Sequence, residues 1–233
     1  MNSKLPSLSI FVPAFNEAGN IEACLKSANE IANQISDKYE ILLVDDGSAD
    51  QTIAIAKNLQ AQNSNIKIVQ HESNQGYGTA LQTGIKNCQY EYIFFTDADL
   101  QFDLSELHSF LPYVPDFDVV IGYRYNRQDP FIRILNAKAW NLLIKLFFQL
   151  KIKDINCAFK LFKKEVIQKI DIHSKGAMVS AEILIKLRQH NVSIMELPVK
   201  HMPRKWGSAT GAKISVILLA IKELIRIKQE KKK

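Results

Sequence analysis

The chain has no run of about 18 uncharged apolar residues, the length that a membrane-spanning helix requires, although apolar types fill 47% of its 233 positions. Its opening stretch, MNSKLPSLSIFVPAFNE, leads straight into a strand-like segment without a cleavage signature, so the expected location is cytoplasmic. Cysteine is scarce. Cys24, Cys88 and Cys157 are far apart, odd in number and lack a C-x-x-C pair, which argues against a disulfide framework and a thiolate zinc site and leaves core filling. The histidines, His71, His108, His173, His190 and His201, show no metal-ligand spacing and read as surface or packing residues. Internal repeats and low-complexity linkers are missing. Positive charge is nearly missing from the first 130 residues, which hold 8 Lys and Arg against 17 Asp and Glu, whereas residues 131–233 hold 22 against 7. A net charge of +6 therefore conceals two halves of opposite sign. The first is suited to holding cations and the second to meeting anions, either phosphates or an acidic membrane surface.

What is present is an alternation of short apolar runs with helical spacing. Ser7–Val12, Glu40–Val44, Ile66–Gln70, Tyr92–Thr96 and Val119–Gly122 read as strands. Between the first four of these, helices are expected from Asn20 to about Ile35, over ADQTIAIAKNLQAQ with Asp50 and Thr52 at its start, and from NQGYGT through Lys86. This pattern predicts an α/β fold, a mostly parallel sheet with helices on both faces. Beyond Gly122 the pattern changes: Ala137–Leu150 and Ser180–His190 read as helices, DINCAFKLFKKEVI is mixed, and Ile194–Val199 resembles a strand. The expected organisation is one domain over residues 1–211, with halves at 1–122 and 123–211, followed by a basic amphipathic helix within 212–233. That last segment carries Ile214, Ile217, Leu218, Ile221, Leu224 and Ile225 on one face, beside Lys213, Lys222, Arg226 and Lys228. Such a face serves equally for a membrane interface or for packing on the core.

The stretch YIFFTDADLQFD, residues 92–103, ends a buried strand in Asp97, Asp99 and Asp103. In a parallel sheet the loops diverge beyond the carboxyl ends of the strands, and ligands gather there. Other predicted strands bring Asn16, Glu17, Asp45, Asp46 and the Asn74–Gly78 turn to the same edge. Carboxylates so grouped repel one another unless a cation lies among them, and two Asp at i and i+2 with the amide oxygen of Gln101 suit Mg2+ or Mn2+. The competing reading is a turn in which Asp97 or Asp99 caps the next helix. The segment after the first strand, PAFNEAGN, lacks the glycine-rich loop of a nucleotidyltransferase.

The series VPAFNE, VDDGS, NQGYGTA and DADLQ, in that order at strand ends, resembles the family 2 glycosyltransferases, whose nucleotide-binding domain has the fold called GT-A. IGYR, Arg133, DINCAFKLF, Glu182 and ELPVKHMPRKWGSATG are similar to the branch that contains dolichol-phosphate mannose synthase and relatives that load sugars onto polyprenyl phosphate. Two positions depart from that branch: Ala158 stands where Gly usually precedes Phe, and Thr210 where Lys is usual. The resemblance implies an inverting transfer from a nucleotide-sugar, GDP-mannose or a UDP-sugar, to dolichyl or undecaprenyl phosphate, with a sugar or protein hydroxyl as the alternative acceptor. It implies that Pro13, Phe15, Glu17, Asp46, Asp97, Ala98 and Asp99 contact the nucleotide-sugar, and that Asp97, Asp99 and Gln101 hold the metal. Arg124, Arg133 and Arg204 would meet the acceptor phosphate, and Asp97, Asp99, Arg133 and Arg204 would be catalytic. PRKW lacks the Gln of a QxxRW element, which argues against processive synthesis. Glu182 reads either as a base for another acceptor or as a partner of a nearby Lys or Arg, and Trp206 as a residue that covers a ligand. The partners implied are an anionic membrane surface on its cytoplasmic side and no nucleic acid, with a separate membrane-embedded protein or a second copy of the chain left open.

Overall fold

The computed structural model describes residues 4–125, 131–204, 206 and 222–229; the side chains of residues 131–134 and 136–138 lie outside that description. Five apolar runs become β1 (Leu8–Ala14), β2 (Tyr39–Asp45), β3 (Ile66–Gln70), β4 (Tyr92–Thr96) and β5 (Val119–Tyr125). The connecting segments form α1 (Ile21–Ile35), α2 (Thr52–Gln62) and α3 (Tyr77–Asn87), and 3-10 turns at Leu104–Ser109 and Leu111–Tyr113 precede β5. Beyond β5 come α4 (Phe131–Phe148), β6 (Phe159–Lys163), α5 (Lys164–Ile167), α6 (Val179–Gln189), β7 (Ile194–Lys200) and a last helix α7 at 222–229.

The seven strands form one sheet in the order β3-β2-β1-β4-β6-β5-β7. All neighbouring pairs are parallel except those made by β6, which runs antiparallel between β4 and β5. The sequence pattern leaves β6 unassigned within a mixed segment, because the two lysines of FKLFK, three positions apart, match neither the alternation of a half-exposed strand nor the continuous apolar run of a buried one. In the fold four of its five residues are buried, Lys160 among them. The chain moves outward from β1 through β2 to β3 and then returns across β1 to β4. Right-handed crossovers in opposite directions place their helices on opposite faces: α1 packs with α2, and α3 with α6. The reversal falls between β1 and β4, which makes that gap the switch point where an open α/β sheet binds ligands. Pro13 has no amide hydrogen to give a ladder and lies beyond the last β1–β4 pair, Phe11–Phe95, so the two strands part just below the acidic loops.

The core between these layers is aromatic. Phe11 and Phe95 stack with centroids 5.4 Å apart, and Phe159 takes Phe94 at 4.7 Å and Phe110 at 5.2 Å edge-on. The three cysteines are free and buried, and burial pushes the Cys24 and Cys157 thiols up to about 12, which suits core filling and no thiolate role. At the amino edge of the sheet, buried Glu40 accepts from Ser9 Oγ at 2.6 Å and from the Gln89 amide at 2.8 Å. In α7, Leu224 and Ile227 are buried, Ile225 is exposed, and Glu223 accepts from the Lys175 amide at 2.8 Å. This part of the expected amphipathic segment packs on the body; residues 212–221 and 230–233, and with them most of the expected face, lie outside the described residues.

Gly84 brings α3 down onto β1, where an added Cβ would collide with the Phe11 ring. Helix propensity alone favours Ala over Gly by about 1 kcal/mol, whereas overpacking costs about 1–3 kcal/mol. Gly84→Ala is therefore expected to lower stability despite its better propensity. A urea midpoint at or above that of the wild type would show that the ring moves aside.

Candidate functional site

The loop after β1 is tied to the loop after β2. Asn16 adopts a left-handed φ of 56°, which Asn tolerates better than most residues. Its amide donates to Ser48 Oγ at 2.8 Å and its Oδ1 accepts from the Ala49 amide at 2.9 Å. The Glu17 amide reaches Thr52 Oγ1 at 2.9 Å and the Ala18 amide reaches Asp50 Oδ2 at 3.1 Å. Asp50 also accepts from the Thr52 amide at 2.9 Å, as its place at the start of α2 predicts. Pro13 is buried in β1, while Phe15 stands exposed at the rim.

Asp46 is buried and its carboxylate is occupied by the protein itself. Its Oδ1 accepts from the Gln75 amide at 2.9 Å and its Oδ2 from the Gly76 amide at 2.9 Å, while His71 Nδ1 lies 2.7 Å from Oδ1. The other ring nitrogen of His71 meets Thr83 Oγ1 at 2.9 Å. His71 is thus a strut between β2 and α3, a role that spacing alone does not reveal. Beside it, fully buried Asp45 accepts from the Ser48 amide at 3.0 Å through Oδ2. Its Oδ1 is buried with no partner among the described residues, the kind of acceptor that a ligand N–H would satisfy.

The DAD turn does not cap the helix that follows it. The cap falls to Asp103, whose Oδ1 accepts from the Ser105 amide at 3.0 Å. Leu100 takes a left-handed φ of 57°, a conformation that costs an apolar residue about 1–2 kcal/mol and turns the chain back so that the Gln101 amide meets Asp99 Oδ1 at 3.2 Å. Tyr77 Oη donates to Asp97 Oδ1 at 2.9 Å. Burial and the neighbouring Asp99 raise the Asp97 carboxyl to about 7, against the pull of Tyr77, Lys160 and Arg204. Asp99 is raised by burial, with Arg204 opposing.

Arg204 is placed inside this cluster. Its Nη2 donates to Asp99 Oδ2 at 2.5 Å and its Nη1 to Glu17 Oε1 at 3.3 Å, joining the loops after β1 and β4. Gln101 holds the segment that delivers it: the Gln101 side-chain amide donates to the Met202 carbonyl at 3.0 Å, and the Met202 amide to the Gln101 carbonyl at 2.9 Å. Nearby, Trp206 is exposed and lies so close to Gly19 that a Cβ there would come within 3.1 Å of the indole.

The remaining expected residues are placed differently from one another. Arg124 forms a forked pair with buried Asp154, Nε to Oδ2 at 2.7 Å and Nη2 to Oδ1 at 2.8 Å. Arg133 lies in α4 with its side chain outside the described residues, and Thr210 is outside them too. Ala98 has a buried methyl group, so a ligand would meet its backbone. Glu182 is fully buried and binds the Ser174 amide at 2.6 Å, Lys186 Nζ at 2.9 Å and Arg226 Nη2 at 3.3 Å. Burial would raise its carboxyl, but the Ser174 and Lys186 donors hold it below the usual range. It is a partner of Lys and Arg. Sequence reasoning missed Asp154 and also Lys160, a buried amine over the Phe95 ring at 5.2 Å that donates to the Cys157 carbonyl. Its only signal is a Lys amid apolar residues.

Among the described residues no three His, Cys, Asp or Glu side chains converge into a closed metal cage. Two carboxylates and a neutral amide, partly neutralised by a guanidinium, do fit a hard cation completed by phosphate oxygens, since Mg2+ characteristically takes one or two protein carboxylates together with its substrate's phosphates.

Residues 9–171 match the family model described as glycosyl transferase family 2. Over 95% of its length the chain is 28% identical to a dolichyl-phosphate beta-glucosyltransferase of Dictyostelium discoideum, covering 73% of that protein. It is 26% identical over 84% of its length to glycosyltransferase AglD of Haloferax volcanii, of which it spans only 33%. The fold is similar to that of glucosyl-3-phosphoglycerate synthase from Mycobacterium tuberculosis in complex with Mn2+, UDP-glucose and phosphoglyceric acid, with a TM-score of 0.74 at 18% identity over 96% of this chain and 80% of that one. The same enzyme with Mg2+ and UDP gives 0.67 at 16% identity over 95% and 78%. With strand-end carboxylates gathered at the switch point of a GT-A sheet and a family model spanning most of its length, the chain belongs to glycosyl transferase family 2.

Proposed function

We propose that the protein transfers a sugar from a nucleotide-sugar to a polyprenyl phosphate at the surface of an anionic membrane. The observation that carries the acceptor choice is α4. Its inner side is fixed by buried Ile144 and Phe148, yet Leu135, Ala139, Leu142 and Leu146, spaced by four, three and four residues, form a second apolar stripe facing solvent. Leu142 and Leu146 are 56% and 71% exposed. Contiguous exposed apolar surface marks protein or membrane interaction sites, and a lipid-borne acceptor gives this one a membrane to meet. Lys228, over the Phe147 ring at 4.4 Å, and exposed Lys145 and Lys151 surround its end with positive charge, as an interfacial helix requires. Asn141 ties α4 to the Lys153 carbonyl at 2.9 Å, next to the Asp154–Arg124 pair. The similarity to a dolichyl-phosphate glucosyltransferase agrees with this reading. Among the described residues no helix is long and apolar enough to cross a membrane. The attachment in this reading is peripheral, through α4, on the cytoplasmic side.

On this reading residues 1–122 bind the donor, 123–211 serve the acceptor, and 212–233 form the tail. The nucleoside lies over the loop after β1, with Phe15 and Glu17 at the rim and Pro13 buried beneath them; at the end of β2, Asp45 Oδ1 is an acceptor without a partner among the described residues, and Asp46 acts through the loop it holds. Asp97, Asp99 and Gln101 would hold Mg2+ or Mn2+, and the backbone of Ala98 borders the diphosphate. When bound, the ion supplies charge that stabilises the departing nucleoside diphosphate. An acceptor phosphate oxygen attacks the anomeric carbon as the bond from that carbon to the diphosphate oxygen breaks, which inverts the centre. A phosphate monoester is already an anion near neutral pH, so the chain needs donors and not a base. Arg124, oriented by Asp154, together with Arg133 and Arg204, provides them.

Incubation with UDP- or GDP-sugars, Mn2+ and a short-chain polyprenyl phosphate is expected to give a lipid-linked sugar of inverted configuration. Glycosylation of hydroxyl acceptors alone would replace this reading. Asp99→Asn is expected to lower the rate by about 100-fold or more, and excess EDTA to abolish it; full activity in either case removes the metal from the scheme. Leu142→Glu with Leu146→Glu is expected to reduce pelleting with anionic liposomes while transfer to a detergent-solubilised short-chain acceptor continues. Unchanged pelleting would mean that α4 is not the membrane face.

A further inference from the structure

We propose that Tyr77 is a positioning residue of the carboxylate site: its neutral phenol keeps Asp97 in place while a divalent cation displaces the Arg204 guanidinium from Asp99 and Glu17. The inference rests on the metal reading above and adds a residue to it. Besides the Gln101 backbone amide on Asp99, two side chains donate to this carboxylate pair among the described residues, Tyr77 Oη to Asp97 Oδ1 at 2.9 Å and Arg204 Nη2 to Asp99 Oδ2 at 2.5 Å. They differ in charge, and that difference decides what each does when a cation arrives. A hydroxyl dipole occupies one oxygen of Asp97 and adds no net charge, so its bond would not oppose a cation held by the pair. A guanidinium on Asp99 and Glu17 competes with the ion for the same negative charge, and like charges at that distance repel. Arg204 thus stabilises the ligand-free cluster, then becomes available to phosphate oxygens once released.

Tyr77 is mounted for a fixed role. It opens α3 directly after Gly76, whose φ of 97° suits glycine. The Gly76 amide is pinned by Asp46 Oδ2 at 2.9 Å, and His71 braces Asp46 from the other side at 2.7 Å. On the far side of Tyr77 the Gly78 amide donates to the Lys175 carbonyl at 2.8 Å. A Cβ at Gly76 would lie 2.7 Å from the Lys175 carbonyl oxygen, and one at Gly78 would collide with that of Ser174. The backbone is therefore clamped on both sides of a tyrosine whose hydroxyl donates to Asp97, and the strut runs from β2 through α3 to the end of β4.

The two donors predict effects of opposite sign on a readout that does not involve turnover. Mn2+ affinity is measured by electron paramagnetic resonance, with the ion alone and with saturating UDP, and melting temperatures establish that each variant is folded. Tyr77→Phe is expected to weaken Mn2+ binding about tenfold in both conditions, and to raise the donor KM more than it lowers kcat. Tyr77→Leu, which also removes the ring, should show the same loss. Arg204→Gln is expected to tighten binding of Mn2+ alone about tenfold. Wild-type affinity in both Tyr77 variants overturns the positioning role, and weaker binding of Mn2+ alone by Arg204→Gln overturns the exchange. A wild-type protein that binds no Mn2+ even with UDP overturns the metal reading itself and the inference with it.

Discussion

The structure depends on how negative charge is balanced at one edge of the sheet. Parallel strands deliver their loops to the same side, and here those loops carry Glu17, Asp45, Asp46, Asp97 and Asp99. Each is answered differently. Asp46 is consumed by backbone amides and His71, Asp45 is half satisfied, Glu17 and Asp99 share Arg204, and among the described residues Asp97 has only the Tyr77 hydroxyl as a donor. The shortage of positive charge is greatest at Asp97, whose carboxyl burial and Asp99 raise to about 7. Carboxyls perturbed in this way cluster at functional sites.

The same balance explains the division of labour along the chain. The acidic first half cannot neutralise itself, and the guanidinium that pairs with Glu17 and Asp99, Arg204, comes from the basic second half across 187 positions of sequence. Gln101 anchors the incoming segment through both its side chain and its backbone, so the loop after β4 and the segment after β7 are mechanically one. β6 serves a similar purpose: by inserting antiparallel between β4 and β5 it brings Lys160 under the acidic edge and the 154–157 turn beside Arg124. Burial lowers the Lys160 amine, yet its contact with the Phe95 ring and the Cys157 carbonyl gives the ammonium partners within the core.

The second half also shows why an apolar helix need not be a core helix. α4 satisfies the core with Ile144 and Phe148 and still presents Leu142 and Leu146 outward, so it has more apolar surface than one packing partner can cover. α7 is the reverse case. Its described part is basic and amphipathic by sequence, but Leu224 and Ile227 are buried and Arg226 pairs with Glu182. Periodicity identifies an apolar face in both helices, and the surroundings decide whether that face meets protein or something else.

The strands β1 to β5, the helices between the first four and the gathering of carboxylates at one edge are legible in the sequence, because local periodicity and the placement of Asp after apolar runs are properties of adjacent residues. The chain's four strand-end motifs carry the family in the same way. Tertiary structure alone decided the rest. Whether FKLFK is surface or central strand depends on what lies on either side of it, and the bond of Arg204 to Asp99 depends on a contact closed across 105 positions. That Asp46 is a loop clamp, His71 a strut and Tyr77 a support for Asp97 follows from three strands converging at the switch point. Sequence spacing records which side chains are available; only the folded sheet, by bringing distant loops within hydrogen-bond reach, determines which charges meet.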